Sequence, residues 1–347
     1  MSLSFPYANF PPEGELVEIV PDIFWLKVPL PYRLNHVNLW LLRDERGWCV
    51  IDTGFASKDV EAIWENVIST LDGPITRLIV THFHPDHLGF ASQLAEKTGA
   101  SLWMSTSEFL IAHTIWNGVG GLAETDMIEA FQKNGLSGDA LHAFKQRGAR
   151  YRQVIPHLPG QYNRLKAGDT LSINKKAWRV FIGHGHSPEH IELYSPEHNV
   201  LIAGDMLLSK ISTNITVYSA APRENSLGAF LAHLVGLQKE VPNPTLVLPS
   251  HDLPFYGVHE RINELQLHHQ ERLRLIREAC QNKPMAAADL LEFLFGWTLD
   301  THQLMFAMGE TIAHLNHLVD SGQMTRIEGA DGIIRFTLTQ GKPQGEN

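Results

Sequence analysis

The chain has 347 residues, of which 44% are hydrophobic, and a formal net charge of −10. Its length and apolar fraction suffice for a large core, so we expect one large domain and a smaller one. The acidic balance argues against a nucleic-acid partner, and two cysteines are too few for a disulfide framework or a thiolate metal cage.

The first part of the chain predicts strands followed by helices. The N-terminal stretch "MSLSFPYANFPPEGE" lacks the basic and apolar segments of a signal peptide, and no apolar run is long enough to cross a bilayer. We therefore expect a cytoplasmic protein without membrane contact. Four β-rich runs follow, "ELVEIV", "IFWLKV", "VNLWLLRD" and "GWCVIDTG". "KDVEAIWENVISTL" then has helical spacing, and the strand "RLIVTH" leads into a helix that Gly99 closes.

The middle of the chain changes character. Between about residues 105 and 160, helical pieces divided by glycines predict an insertion that covers the site as a lid. Its apolar residues either line a pocket or pack the insertion's own helices, and they are Phe109, Trp116, Met127, Phe131 and Phe144. Strands return in "DTLSI", "AWRVFIGHG", "HIELYS", "NVLIAGD" and "PTLVLPSHD". The repeated strand-rich layout predicts two sheets packed face to face with helices outside.

The pattern changes again at about residue 259, which predicts domains over 1–258 and 259–347. A long polar helix precedes further helical runs and a hairpin with "GADG" at its turn, the layout of a winged-helix-like α+β domain. Residues 283–340 contain three basic and seven acidic residues, the opposite of what a nucleic-acid reader needs. We therefore interpret the tail as a packing, pocket-wall or dimerisation module, and a homodimer is compatible with it.

The stretch "THFHPDH" crowds four potential metal ligands onto the end of a strand. Alternate residues that leave a strand project to one side, so His82 and His84 can point together. After the turn at Pro85, Asp86 and His87 can face the same cavity and serve a second ion. Imidazole nitrogens with a carboxylate oxygen suit Zn²⁺, and also iron or manganese.

Four residues cannot complete two coordination shells, and further polar residues stand where later apolar strands end. "FIGHGHSPEHIEL" contains His184, His186 and His190, "VLIAGD" ends on Asp205, and "LVLPSHD" contains His251. Strand ends are where a scaffold presents a site, so these residues complete a candidate centre for two ions. The remaining histidines, including those at 113, 268 and 269, are expected to be solvated or to belong to the lid.

The ordered motifs "VIDTG", "THFHPDH", "GHSPEH", "IAGD" and "PSHD" resemble those of the metallo-β-lactamase fold superfamily over roughly residues 15–255. The resemblance implies an αββα sandwich of two packed mixed sheets with outer helices. It also implies two divalent metal ions, with Zn²⁺ favoured over iron or manganese. The first would be held by His82, His84 and His186, the second by Asp86, His87 and His251, with Asp205 between them. A water or hydroxide between the ions would be the nucleophile. The catalytic carboxylates would be Asp86, Asp205 and Asp52, the last orienting a ligand from behind.

Differences within the superfamily narrow the expected activity. The chain has the bridging aspartate that secreted β-lactamases lack, and His84 stands where flavin-linked diiron oxidoreductases have a glutamate. The resemblance is thus to the group of glyoxalase II, lactonases and nucleases, and the tail resembles that of an endoribonuclease and of thioesterases. We expect a dinuclear hydrolase of a small ester or thioester, such as an acyl-glutathione or acyl-CoA. The alternatives are a nuclease or phosphodiesterase, a mononuclear iron persulfide dioxygenase, and a non-catalytic metal-bound sensor.

Two further groups of residues have weaker assignments. The loop after Asp205 contains Lys210, Tyr218 and Arg223, which either bind a carboxylate or phosphate of the small-molecule substrate or are solvated. His184 and His190 are expected to pack near the ligands or support them from behind.

Overall fold

A computed structural model of the chain describes residues 2–147, 151–296 and 299–339. Within these residues the chain forms two compact units. The first contains residues 2–117, 151–213 and 233–263, and the second contains 118–147, 214–232 and 264–339. The chain therefore crosses between the units several times, and the middle of the predicted lid insertion belongs to the second unit. The predicted domain limits, 1–258 and 259–347, differ from the limits of these two units. They stay a prediction.

One sheet of the first unit follows the order of the sequence, with seven strands within the described residues. They are β1 (Leu16–Val20), β2 (Ile23–Pro29), β3 (His36–Asp44), β4 (Gly47–Ile51), β5 (Ile75–Ile79), β6 (Ser101–Met104) and β7 (Asn163–Arg164). Strands β1 to β4 pair antiparallel, and β4 to β7 pair parallel. Trp25 and Trp40 face each other across β2 and β3 with ring centroids 5.7 Å apart, and both are buried. Such cross-strand aromatic pairs stabilise a sheet.

The other sheet of the first unit has five strands in the described part of the chain, in the order β12-β11-β10-β9-β8. They are β8 (Thr170–Ile173), β9 (Lys176–Gly183), β10 (His190–Ser195), β11 (Val200–Gly204) and β12 (Leu246–Pro249). The β11–β12 pair is parallel and the others are antiparallel. Every residue of β10 and β11 is buried, as expected for strands covered on both faces. The predicted architecture of two packed mixed sheets with outer helices is confirmed.

The helices in the described residues are α1 (Lys58–Thr70), α2 (Pro85–Leu88), α3 (Ala91–Thr98), α4 (Thr106–Asn117), α5 (Glu124–Lys133), α6 (Gly138–Arg147), α7 (Tyr151–Val154), α8 (Ser226–Glu240), α9 (Val258–Ala279), α10 (Leu291–Phe295) and α11 (Thr301–Asp320). The single helix predicted after β5 is two, because the chain bends between α2 and α3. A Cβ on Gly89 would lie 2.2 Å from the carbonyl oxygen of Pro85 and 2.9 Å from the amide nitrogen of Ala56, so only glycine fits there. Helix α3 ends at Gly99 in a left-handed conformation, as predicted.

The second unit contains the middle of the predicted insertion and the C-terminal tail. Phe131 of α5 and Phe144 of α6 are buried and meet edge-to-face at 5.5 Å, so these two aromatics pack the insertion's own helices. After a short 3₁₀ turn at Ala288–Leu290, α10 and α11 precede a hairpin of β13 (Met324–Glu328) and β14 (Ile334–Leu338). An isolated antiparallel β-bridge joins Met285 to Phe336 of this hairpin. The small helix-and-hairpin domain predicted at the C-terminus is confirmed.

Two other predictions concern a histidine of α9 and membrane-spanning helices. His269 of α9 is fully buried and lies outside residues 105–160, so the expectation that it is solvated or belongs to the lid was wrong. Its ring lies 5.7 Å from that of Phe230 and hydrogen-bonds to another histidine, so this part of the polar helix faces the interior of its unit. Among the described helices, we find none with the length and apolarity that a membrane span requires.

Candidate metal centre

The site begins where β5 turns into α2. His84 is the residue just before the helix, and Pro85 occupies its first position, where a missing N–H is tolerated. His82 and His84 therefore lie on the extended segment, and Asp86 and His87 lie in the first helical turn. One bend in the chain thus presents two pairs of ligand-type side chains.

A first cluster joins side chains from three strand ends. Its ligand atoms all lie within 4.8 Å of one another, and its members are His82, His84, His186 and Asp205. Nε2 of His82 lies 2.8 Å from Nδ1 of His84 and 3.2 Å from Nε2 of His186. Oδ2 of Asp205 lies 3.4 Å from Nε2 of His186. The nitrogens and the carboxylate oxygen therefore converge on one point.

A second cluster is formed by Asp86, His87 and His251. Oδ2 of Asp86 lies 3.6 Å from Nε2 of His87 and 3.4 Å from Nε2 of His251. Oδ1 of Asp205 lies 3.6 Å from the same atom of His87 and 3.5 Å from that of His251. Asp205 therefore directs one carboxylate oxygen toward each cluster, the position expected of a bridging ligand.

Hydrogen bonds at Nδ1 orient the two histidine rings of the second cluster. Asp52 is buried at the end of β4, and its Oδ2 lies 2.8 Å from Nδ1 of His87. It also accepts hydrogen bonds from the amide of Thr81 at 2.7 Å and from its hydroxyl at 2.9 Å. Nδ1 of His251 donates to the carbonyl oxygen of His36 at 3.0 Å. Both rings therefore turn Nε2 toward the cluster, the arrangement usual for metal-binding histidines.

His190 and Gly204 position Asp205. The amide of Asp205 donates to Nε2 of the buried His190 at 3.1 Å. A Cβ on Gly204 would lie 2.3 Å from that ring, and the glycine has a φ of 51°. Both the lack of room for a Cβ and the positive φ therefore favour glycine before the aspartate. His184, in contrast, is exposed, and its Nδ1 donates to the carbonyl oxygen of Pro188 at 2.6 Å.

Two residues that carried no sequence signal also support the site. Glu108 of α4 is fully buried and accepts hydrogen bonds from the amides of Phe83, at 3.0 Å, and Glu189, at 2.7 Å. It thereby fixes the segments that carry His82 and His186. The hydroxyl of Tyr151 donates to the carbonyl oxygen of Phe83 at 2.7 Å. Only long-range contacts show these roles, so a local motif could not have predicted them.

The electrostatics of the clusters favour a bound cation. Burial and the neighbouring His186 lower the pKa of His84 to about 3. Burial raises the pKa of Asp86, but His87 and His251 outweigh it and bring the value to about 2. Burial lowers the pKa of His87, but Asp86, Asp205 and Asp52 raise it to about 10. Ionised carboxylates therefore surround an imidazole that holds positive charge strongly, and a metal ion can replace that proton.

The donors present fit a pair of metal ions. Nε2 of His87 and Oδ1 of Asp205 are buried without a hydrogen-bond partner, which is unfavourable unless a further group binds them. The donor set of imidazole nitrogens and carboxylate oxygens suits Zn²⁺, iron or manganese. All seven predicted ligands are members of the two clusters.

Comparison with known proteins agrees with this geometry. The sequence profile of the Metallo-beta-lactamase superfamily matches residues 32–251, more than half of the chain. The chain belongs to the metallo-β-lactamase superfamily. The profile described as "Metallo-beta-lactamase-like, C-terminal domain" matches residues 273–339, which include α10, α11 and the hairpin. Membership and the two clusters place the chain among the metallo-hydrolases of this superfamily.

Two similar proteins match most of the length of this superfamily member. The crystal structure of a β-lactamase domain protein from Burkholderia ambifaria is 40% identical, with a TM-score of 0.91, over 97% of this chain and 98% of that chain. The "Probable metallo-hydrolase YqjP" of Bacillus subtilis is 23% identical over 86% of this chain and 92% of its own length.

Two further relatives carry names that specify a reaction. The "Acyl-coenzyme A thioesterase MBLAC2" of Gallus gallus is 24% identical over 53% of this chain and 62% of its own length. The "Hydroxyacylglutathione hydrolase" of Pseudomonas aeruginosa is 30% identical over 40% of this chain and 48% of its own length.

The residues predicted to bind substrate are divided between the units. Lys210 is exposed in the first unit, and Tyr218 and Arg223 belong to the second. Their role in substrate binding stays a prediction. Of the other predicted lid aromatics, Phe109 stacks on Tyr162 with centroids 4.2 Å apart.

Proposed function

We propose that the protein is a dinuclear metal-dependent hydrolase that cleaves a small thioester, such as an acyl-CoA or an acyl-glutathione. The observation that carries this proposal is the carboxylate of Asp205, with one oxygen 3.4 Å from His186 and the other 3.5 Å from His251. A single carboxylate between two ligand clusters suits two ions held close together. Binding of one ion for sensing would not require this arrangement.

In this proposal His82, His84 and His186 would hold one ion, Asp86, His87 and His251 would hold the other, and Asp205 would serve both. Two cations bound there would supply an acidified water as the nucleophile and would polarise a substrate carbonyl group. Asp52 and the carbonyl group of His36 keep two ligand rings oriented, and Glu108 fixes the backbone around the first cluster. The protein's contribution is therefore a preorganised, largely buried set of donors.

The acid–base properties of the site favour a thiolate leaving group. Neighbouring imidazoles hold the pKa of Asp86 at about 2 and that of Asp205 well below its usual range. Bound cations would lower both further, so neither carboxyl can donate a proton at neutral pH. An alkoxide needs such a donor, whereas a thiol with a pKa of about 8.5 leaves readily as the anion. A thioester is thus the ester best matched to these carboxylates.

The relatives support the same substrate class. Both an acyl-coenzyme A thioesterase and a hydroxyacylglutathione hydrolase act, by their names, on thioesters of small thiols. The acidic C-terminal segment fits a role in packing better than one in binding nucleic acid. A small-molecule substrate, a cytoplasmic location, a homodimeric state and Zn²⁺ as the metal remain our proposals.

The test has two stages on the full-length protein. Metal analysis after loading with Zn²⁺ should show two ions retained by the clusters around Asp205, and Asp205→Asn should weaken retention of both. A panel of acyl-CoA, acyl-glutathione, lactone, phosphodiester and RNA substrates should then show cleavage of the thioesters. Cleavage of phosphodiesters alone would contradict the proposal, as would thioester cleavage that requires a single iron ion and oxygen.

A further inference from the structure

A second group of histidines lies in the second unit, among residues 264–339. Here His268 and His269 of α9 and Glu310 of α11 each offer a ligand atom, and these atoms lie within 4.8 Å of one another. His269 is fully buried, and the other two side chains are half-buried. None of these residues belongs to either cluster around Asp205.

Hydrogen bonds fix the direction of the buried His269 ring. Nδ1 of His314 lies 2.7 Å from the carbonyl oxygen of Glu310, which can only accept, so this nitrogen donates. In a neutral ring Nε2 of His314 then carries a lone pair, and it accepts from Nδ1 of His269 at 3.1 Å. Nε2 of His269 is thereby left as a lone-pair nitrogen, and it is buried without a hydrogen-bond partner.

This arrangement has the features of a metal-binding histidine. One ring nitrogen of His269 is held by a hydrogen bond, and the other presents a lone pair inside the protein. Another histidine and a carboxylate lie within reach of the same point. Two imidazoles and a glutamate are a known ligand set for Zn²⁺, with a further position open to water.

We propose that His268, His269 and Glu310 bind one Zn²⁺ ion that joins α9 to α11 within the second unit. His314 is the positioning residue, because its hydrogen bond orients the His269 ring. The ion links positions more than forty residues apart in sequence, so it stabilises the fold of this unit. The site is separate from the proposed hydrolytic reaction and does not depend on it.

Zinc content tests the proposal directly. Full-length protein is dialysed against Zn²⁺ buffered at a low free concentration, and the bound zinc is counted by native mass spectrometry. Glu310→Gln and His269→Asn should each retain one ion fewer than the wild type, and Zn²⁺ should raise their melting temperatures less. The matched controls Glu292→Gln and His142→Asn change exposed side chains of the same unit and should keep the wild-type content.

A measurement on the wild type guards against variants that fail to fold. Anomalous diffraction at the zinc edge should show a peak between the side chains of His268, His269 and Glu310. Equal zinc content in the wild type and both ligand variants would overturn the proposal, and so would the absence of that peak. Peaks at the Asp205 clusters are read separately, so failure of either site is distinguishable from failure of the other.

Discussion

Oδ2 of Asp52 lies 2.8 Å from Nδ1 of His87, and both side chains are buried. The same carboxylate accepts two hydrogen bonds from Thr81, which precedes the first ligand in the sequence. Asp52 has a φ of 63°, a conformation that suits aspartate better than larger residues. The end of β4 thus orients a proposed metal ligand carried by α2.

Replacing this carboxylate tests its orienting role. Asp52→Asn keeps the size of the side chain but removes the charged acceptor that orients the Nδ1–H of His87 and makes its Nε2 a stronger donor to a metal ion. We expect the affinity of the second cluster for Zn²⁺ to fall by about 10- to 100-fold. Zinc titration against a competing chelator measures this change. Asp59→Asn, on the exposed face of α1, is the control, and equal affinities in the two variants would contradict the role.

A second prediction concerns Gly204, because a Cβ there would lie 2.3 Å from the His190 ring. Gly204→Ala should lower the free energy of unfolding by about 1–3 kcal/mol, through this clash and the positive φ. It should also weaken metal retention, since the amide of Asp205 donates to the displaced ring. Gly99→Ala is the matched control, because Gly99 has a φ of 72° but no atom within 4 Å of its Cβ position. Equal losses of stability would show that the contact with His190 is unimportant.

The buried carboxyl group of Glu108 should make the free energy of unfolding depend on pH. Burial raises the pKa of its carboxyl from 4.5 to about 7, although backbone amides oppose this shift. The stability that belongs to the protonated form is therefore complete below pH 4.5 and is lost as the pH rises through about 7. Glu108→Gln cannot ionise, so the wild type should lose stability relative to this variant across that window. Urea unfolding at several pH values measures the difference, and Glu96→Gln, on an exposed position of α3, is the control. A difference that does not change with pH would contradict the prediction.

His233 and Glu192 form a buried ion pair within the first unit, with Nε2 and Oε2 2.5 Å apart. His233→Leu leaves the carboxylate of Glu192 in β10 without its partner, which should lower the free energy of unfolding by about 3–5 kcal/mol. Replacing both residues with leucine should recover much of that loss. The exposed pair of Arg179 and Glu240 is the comparison, where Glu240→Gln should change stability by less than about 1 kcal/mol. Chemical denaturation at neutral pH measures the loss of stability at each pair. Similar losses at the two pairs would contradict the view that burial makes the pair of His233 and Glu192 important for stability.

The clustering of the seven proposed ligands could be predicted because its signals are local. Each member follows an apolar strand, and the bend at Pro85 lies within a single motif. The two sheets followed from runs of β-forming residues, and the helix at α1 followed from a stripe in which Val60, Trp64 and Val67 are buried. These features depend on a few neighbouring residues.

The supporting residues could not be predicted, because their contacts join distant segments. Glu108 binds amides 25 and 81 residues away, and no periodic pattern marks such a partner. The second unit likewise combines residues 118–147 with the tail, which local spacing cannot show. His269 was expected to be solvated or to belong to the lid, and its ring instead packs against Phe230 and bonds to His314, both in other segments.

Thiol release from an acyl-CoA and an acyl-glutathione by the zinc-loaded full-length protein tests the central claim most directly. Oxygen esters with the same acyl groups and a phosphodiester serve as comparisons. Our account predicts release from a thioester in preference to the comparison substrates, and a loss of roughly 100-fold or more in kcat/KM for Asp205→Asn. Thioester hydrolysis that is unchanged in Asp205→Asn, or hydrolysis of the phosphodiester alone, would contradict it.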